Sequence, residues 1–119
     1  MVADPAAQGD VILARKDAPA SYHLAVTVDD AAQGVSDVVR GVDLFEATHV
    51  HRLLQALLGF PTPAYHHHAL LTDAAGNRLA KRHGAPTLEG LRRAGEDGPA
   101  LANTLRAGRL PIGFAAAKG

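Results

Sequence analysis

A chain of 119 residues, 47% hydrophobic and 20% charged, holds one domain at most and is too apolar to be disordered throughout. Twelve basic residues balance twelve acidic ones, so net charge points to no nucleic-acid partner and any such surface must be local. The absence of cysteine removes disulfides, thiolate metal sites and cysteine nucleophiles together, and 4% aromatic content argues against a base-stacking platform. No apolar run approaches the ~20 residues that span a bilayer. Residues 1–10 carry Asp4 and Asp10 and no apolar h-region, so they do not read as a secretory signal. A cytoplasmic protein without a membrane partner is expected.

In chain order, Val11-Ile12-Leu13-Ala14 is a short apolar run that predicts a strand, broken by Asp17-Ala18-Pro19. Tyr22 to Val28 is rich in β-formers and predicts a second strand, closed by Asp29-Asp30 in a turn. Val35 to Val39 predicts a third, ended by Gly41. The clearest element is a helix from about Leu44 to Leu58. There Val50, Leu53, Leu54, Leu57 and Leu58 form one apolar stripe, with His51 and Gln55 on its border. Gly59 supplies a left-handed cap and Pro61 prevents continuation. Tyr65 to Leu71 reads as a strand and Thr72 to Asn77 as turn chemistry. Two further helices are expected, from Pro86-Thr87 to Gly95 and from Pro99 to Ala107. A loosely held tail follows from Leu110. Strands alternating with helices favour an α/β layer architecture.

Three groups of residues carry chemistry. Arg78, Lys81 and Arg82 make a basic loop that can neutralise charge developing on a polyphosphate, although a solvated basic turn would have the same composition. Tyr22 and Arg40 stand at the ends of strand-like segments. An arginine fork and a phenol can hold a carboxylate, and a surface arginine beside an amphipathic tyrosine is the plain alternative. His66-His67-His68 would put His66 and His68 on one face of a strand and His67 on the other. Two imidazoles fall short of the three or four ligands zinc takes, so a phosphate-facing or packed histidine is preferred and no metal ligand is assigned. Asp29-Asp30 could bind magnesium but reads better as a turn. No Walker loop, nucleophile elbow or HExxH motif is present, which disfavours a hydrolase.

Taken together, Ser21-Tyr22-His23-Leu24-Ala25, Val28-Asp29-Asp30, Val38-Val39-Arg40-Gly41-Val42-Asp43-Leu44, Thr48, Leu57-Leu58-Gly59, Tyr65 with His67, and Arg78-Leu79-Ala80-Lys81-Arg82-His83-Gly84-Ala85 resemble the glutamyl-tRNA synthetase group of class I aminoacyl-tRNA synthetases. The likeness runs over roughly residues 10–90. It implies the second half of a Rossmann-like catalytic domain, covering residues 1–95 with a KMSKS-type loop, followed over 96–119 by a short helix and tail. It also implies a two-step reaction. Glutamate attacks the α-phosphate of ATP, which enters with Mg2+, to give glutamyl-adenylate and pyrophosphate; the glutamyl group then passes to tRNA. In this resemblance Tyr22 and Arg40 line the glutamate pocket. Lys81 is the catalytic second lysine of the loop. Arg78, Arg82 and His67 join Lys81 at ATP. Arg78 replaces the loop's first lysine, and Ala80 replaces its serine. Only 35 residues follow Gly84, too few for an anticodon-binding domain, and the histidine run is similar to the glutamyl-Q tRNA(Asp) synthetase branch, which glutamylates queuosine. Nothing matches a HIGH-type motif or zinc ligands, so the chain resembles the C-terminal half of such an enzyme, as a gene fragment, a split subunit or a truncated product, with a missing N-terminal half left open as a partner and with self-association or poor solubility expected from uncovered apolar surface. The rival expectations are a piece of an ordinary glutamyl-tRNA synthetase, a non-catalytic nucleotide- or RNA-binding module of the same fold, and a histidine-based metal-binding protein.

Overall fold

The computed structural model describes residues 2–79, 87–111 and 113–116. They form two compact units, residues 1–68 and 69–119. Lys81 and Arg82 lie outside the described residues.

The first unit opens with a 3-10 turn, Pro5–Gln8, and then α1, Tyr22–Ala32. This corrects the strand expected over Tyr22 to Val28. The β-branched residues Val26, Thr27 and Val28 cost a helix only tenths of a kcal/mol each. Against that, the Ser21 hydroxyl caps the helix by accepting from the Leu24 amide at 3.4 Å. Thr27 donates its hydroxyl to the His23 carbonyl at 2.8 Å, so the one buried β-branched polar residue of the helix satisfies itself locally. Asp29 and Asp30 are therefore in the last turn of α1 rather than in a turn between elements, on the end where the helix dipole disfavours them. Val11–Ala14 is likewise no strand, because no described strand lies alongside to pair with it. It is fastened through the Ser21 amide, which donates to the Leu13 carbonyl at 2.7 Å.

β1, Asp37–Gly41, pairs in parallel with β2, Ala64–His68, and the connection between them carries a 3-10 turn and α2, Ala47–Leu58. This is the β–α–β unit of an α/β layer fold, as expected from the sequence. The register sets Arg40 opposite His67 and Val38 opposite Tyr65. Alternation puts Arg40, Tyr65 and His67 on the face that α2 covers, leaving Val39 (70% exposed), His66 and His68 on the other.

α2 departs from its expected orientation. Ala47, His49, Val50, His51, Leu54 and Gln55 are buried, while Leu53 and Leu57 are exposed. The inward face is thus turned from the leucine stripe toward three polar residues: His51 and Gln55 meet a polar sheet surface that needs partners, and His49 Nδ1 accepts from the Asp4 amide at 2.9 Å. Among the described residues the buried hydrophobic side chains are only Ala47, Val50 and Leu54. Gly59 ends the helix at φ 70° and ψ 25°, and its amide, like that of Phe60, donates to the Gln55 carbonyl. A Cβ at Gly59 would meet nothing within 4 Å, so Gly59→Ala should cost only the left-handed backbone strain, about 1 kcal/mol. A urea midpoint unchanged from wild type would show that this cap is not needed.

The second unit pairs β3, Leu71–Asp73, antiparallel with β4, Phe114–Ala116, inside the segment read as a tail. The strand expected from Tyr65 to Leu71 is thus divided, with β2 ending at His68 and β3 starting at Leu71. The expected turn is present: both Asp73 carboxylate oxygens accept from Asn77, and Gly76 adopts φ 86°. α3, Leu88–Arg93, is capped by Thr87, and α4, Gly98–Arg106, by Asp97. α3 lies within the bounds expected from the sequence, Pro86-Thr87 to Gly95, and α4 matches those expected from Pro99 to Ala107 except that it starts at Gly98.

Candidate functional site

The first unit converges on one guanidinium. Arg40 Nε donates to His67 Nε2 at 3.3 Å, one Nη to His51 Nδ1 at 3.2 Å, and the other to the Thr48 hydroxyl at 2.6 Å. The β1–β2 register supplies His67, and helical spacing supplies Thr48 and His51 three residues apart on α2. The Arg40 guanidinium carbon lies 5.1 Å from the Tyr65 ring centre, over its face, a cation–π contact. Gln55 holds that tyrosine by donating to its hydroxyl at 2.8 Å, and Gln55 in turn accepts from Arg52 at 2.7 Å.

The chemistry of arginine fixes the protons of its neighbours. A guanidinium only donates, so the Arg40-facing nitrogens of His51 and His67 must both accept. Neutral His51 then carries its proton on Nε2, which donates to His23 Nδ1 at 3.0 Å. Burial first, then the Arg40 and His23 charges, lower the pKa of His51 from 6.5 to about 4. That of His67 is lowered too, by burial, Arg40, His66 and His68 in that order. Both imidazoles are therefore neutral at physiological pH.

Among the described residues Arg40 has no acidic partner. A guanidinium has five N–H groups, and the three contacts above leave two of them unused. A positive charge supported by neutral acceptors, with donors to spare, suits a small anion such as a carboxylate. Tyr22 stands on the same cluster. Its ring meets His51 edge-on at 6.0 Å and His23 at 5.7 Å, and it is 53% exposed.

The structure thus brings together Tyr22, Arg40 and His67 from the residues singled out in the sequence. His67, expected at ATP, is hydrogen-bonded to Arg40. His51 and His23 were missed as site residues. The signal for His51 was available: a histidine at i+3 from Thr48, on the border of the apolar stripe, can face a sheet. His66 and His68 point away, with His66 bonded to Asp37 at 3.0 Å. Arg78 is exposed and belongs to the second unit, beside a bridge to Thr72. Among the described residues no group of three His, Cys, Asp or Glu side chains is placed to hold a metal ion.

Beside the cluster a cavity of about 330 Å³ is lined by Phe45, Thr48, His49, Tyr65 and His67, among others.

Residues 2–114 match the family described as tRNA synthetases class I (E and Q), catalytic domain. The chain belongs to that family. A glutamyl-Q tRNA(Asp) synthetase of Rhodobacter capsulatus is 60% identical over 89 residues, which are 75% of this chain and 32% of the relative. The chain thus spans about a third of the length of that curated relative. Among solved structures, a glutamate-tRNA synthetase from Elizabethkingia anophelis is 30% identical with a TM-score of 0.56, over 63% of this chain and 15% of that one. A glutamate tRNA ligase from Elizabethkingia meningosepticum, solved in complex with its amino acid, is 29% identical with a TM-score of 0.55 and the same coverage. The class I synthetase chain is accordingly a partial Rossmann-like α/β catalytic domain, as the resemblance implied. The β1–α2–β2 unit with its arginine hub lies within the matched residues. No helix among the described residues is long and apolar enough to cross a membrane.

Proposed function

We propose that this chain supplies part of the active site of a glutamyl-Q tRNA(Asp) synthetase-type ligase. Arg40 and Tyr22 hold glutamate, and the loop of Arg78, Lys81 and Arg82 meets the phosphates of ATP. The single observation that carries the reading is the state of Arg40: clamped by three acceptors, without an acidic partner among the described residues, and with two N–H groups left over. A carboxylate of glutamate fits that vacancy in charge and in fork geometry. In the reaction the other carboxylate of glutamate attacks the α-phosphate of ATP, the α–β phosphoanhydride bond breaks, and pyrophosphate leaves; Mg2+ brought in with ATP would help neutralise its charge. Lys81 stabilises the departing charge. The glutamyl group then passes from the adenylate to tRNA, and AMP leaves. The choice of queuosine in tRNA(Asp) follows the relative at 60% identity, and the rest of the active site comes from residues beyond the third of the family that this chain spans.

Glutamate-dependent ATP–pyrophosphate exchange by the purified chain, measured without tRNA, tests this. Exchange is expected to fall about 100-fold or more in Lys81→Ala, the magnitude typical of losing a transition-state charge contact. Glutamate binding without exchange would make the chain a binding part that needs the rest of the catalytic domain. Neither binding nor exchange would sink the reading.

A further inference from the structure

We propose that His51 is the positioning residue that joins Arg40 and Tyr22 into one amino-acid site, and that it does so as a neutral imidazole with its proton on Nε2. The inference rests on the glutamate reading above and extends it to a residue that touches no substrate.

His51 is 1% exposed and lies on the buried face of α2. Its two nitrogens and its ring each have a separate contact. Nδ1 accepts from Arg40 at 3.2 Å, Nε2 faces His23 Nδ1 at 3.0 Å, and the ring meets the edge of Tyr22 at 6.0 Å. Arg40 comes from β1 and Tyr22 from α1, two elements with no hydrogen bond between these side chains. Among the hydrogen bonds and ring contacts of the described residues, those of His51 alone reach both. An imidazole can do this because it offers an acceptor, a donor and a flat apolar face at fixed angles. Holding one Nη of Arg40 from within also fixes which N–H groups remain for a ligand. With His67 on Nε and Thr48 on the other Nη, the guanidinium cannot rotate about its last side-chain bond without breaking three contacts. A rigid fork loses less entropy when it meets a carboxylate than a free one does.

Two substitutions separate the contacts. His51→Gln keeps an acceptor toward Arg40 and a donor toward His23 but has no ring. His51→Phe keeps the ring against Tyr22 but has no acceptor. By calorimetry with L-glutamate, H51Q, which loses the ring contact with Tyr22, is expected to bind about three- to tenfold more weakly than wild type, and H51F, which loses the acceptor for Arg40, at least tenfold more weakly, both melting cooperatively. Wild-type affinity in either variant would overturn the proposal. Nitrogen-15 NMR of the histidine rings and of Arg40 Nε gives a readout independent of binding. His51 should show a bare Nδ1 and a protonated Nε2 in wild type, and Arg40 Nε–H should be rigid there and mobile in H51F. If wild type binds no glutamate, the functional reading fails and the NMR alone judges the positioning. If H51F does not fold, the wild-type tautomer decides, and a proton on His51 Nδ1 overturns the proposal.

Discussion

Replacing Arg40 by alanine should reduce glutamate binding about 100-fold or more and also destabilise the first unit. The two effects have different causes. Binding falls because the charge and the two spare N–H groups that suit a carboxylate disappear; losing one partner of a desolvated charge pair typically costs 2–5 kcal/mol. Stability falls because His51 Nδ1, buried and bonded to Arg40 at 3.2 Å, is left without a donor. An orphaned buried acceptor costs about 1–3 kcal/mol. Thr48 suffers less, since its hydroxyl also reaches the Leu44 carbonyl at 3.3 Å. The cation–π contact with Tyr65 is lost as well. A third consequence is diagnostic. The Arg40 charge is the second cause of the low pKa of His51, after burial. In R40A the His51 pKa should rise, yet stay below 6.5 because burial remains. Arg40→Lys keeps the charge but replaces a planar fork with a point donor, so it should recover His51's low pKa and only part of the binding. Calorimetric titration with glutamate, histidine NMR against pH, and urea melts read the three effects. Glutamate affinity in R40A within twofold of wild type would remove Arg40 from the site.

How much of this was legible beforehand differs by residue. The α2 helix and its glycine stop could be read because both are local: a 3.6-residue repeat and a left-handed cap at Gly59. The turn at Asp73–Asn77 and the start of α3 near Thr87 were local too. α1 was misread because Tyr22, Val26, Thr27 and Val28 favour strands on average, and a preference of a few tenths of a kcal/mol is overridden by a cap and by packing against another helix. Which way α2 faces was not legible either. Its leucines mark an apolar stripe, but the sheet it covers presents Arg40, Tyr65 and His67, and a buried polar group left unpaired costs more than an exposed leucine. The same non-local pairing hid His51 and His23 as site residues. Arg40 and Tyr22, by contrast, were singled out from their residue types, and the family resemblance placed them in one pocket without indicating the imidazole between them. Lys81, the loop residue given the catalytic role, lies outside the described residues, so its role rests on the sequence and on the exchange assay.

Acid should weaken this fold well before its carboxylates are protonated. His51 is neutral when folded, with a pKa of about 4, and titrates near 6.5 when unfolded. Between those values the unfolded chain binds more protons than the folded one, so stability must rise with pH across that window. The contribution is fully present above about pH 6.5 and is lost as pH falls toward 4. Its upper bound, at about 1.4 kcal/mol per pH unit, is about 3 kcal/mol. His67, also held low, adds in the same direction. The groups facing His51 explain why it resists protonation. Arg40 on β1 is permanently charged. His23 on α1 already accepts the Nε2 proton, and the Tyr22 ring beside it offers no negative charge. A second proton on His51 would have to sit on Nδ1, against a donor. Asp37 and Asp73 are also held below the usual carboxylate range, by their hydrogen bonds, but their contribution is lost only below about pH 3.8, outside this window. Urea melts at half-unit steps from pH 7.5 to 4.5 should therefore show a steep loss in wild type and a flatter one in H51Q, which keeps the two hydrogen bonds but cannot titrate. Glutamate affinity should fall over the lower part of the same range, as protonation expels the Arg40 fork from its seat. Equal slopes in wild type and H51Q would mean that the acid sensitivity lies elsewhere and that the Arg40 cluster tolerates a charged His51.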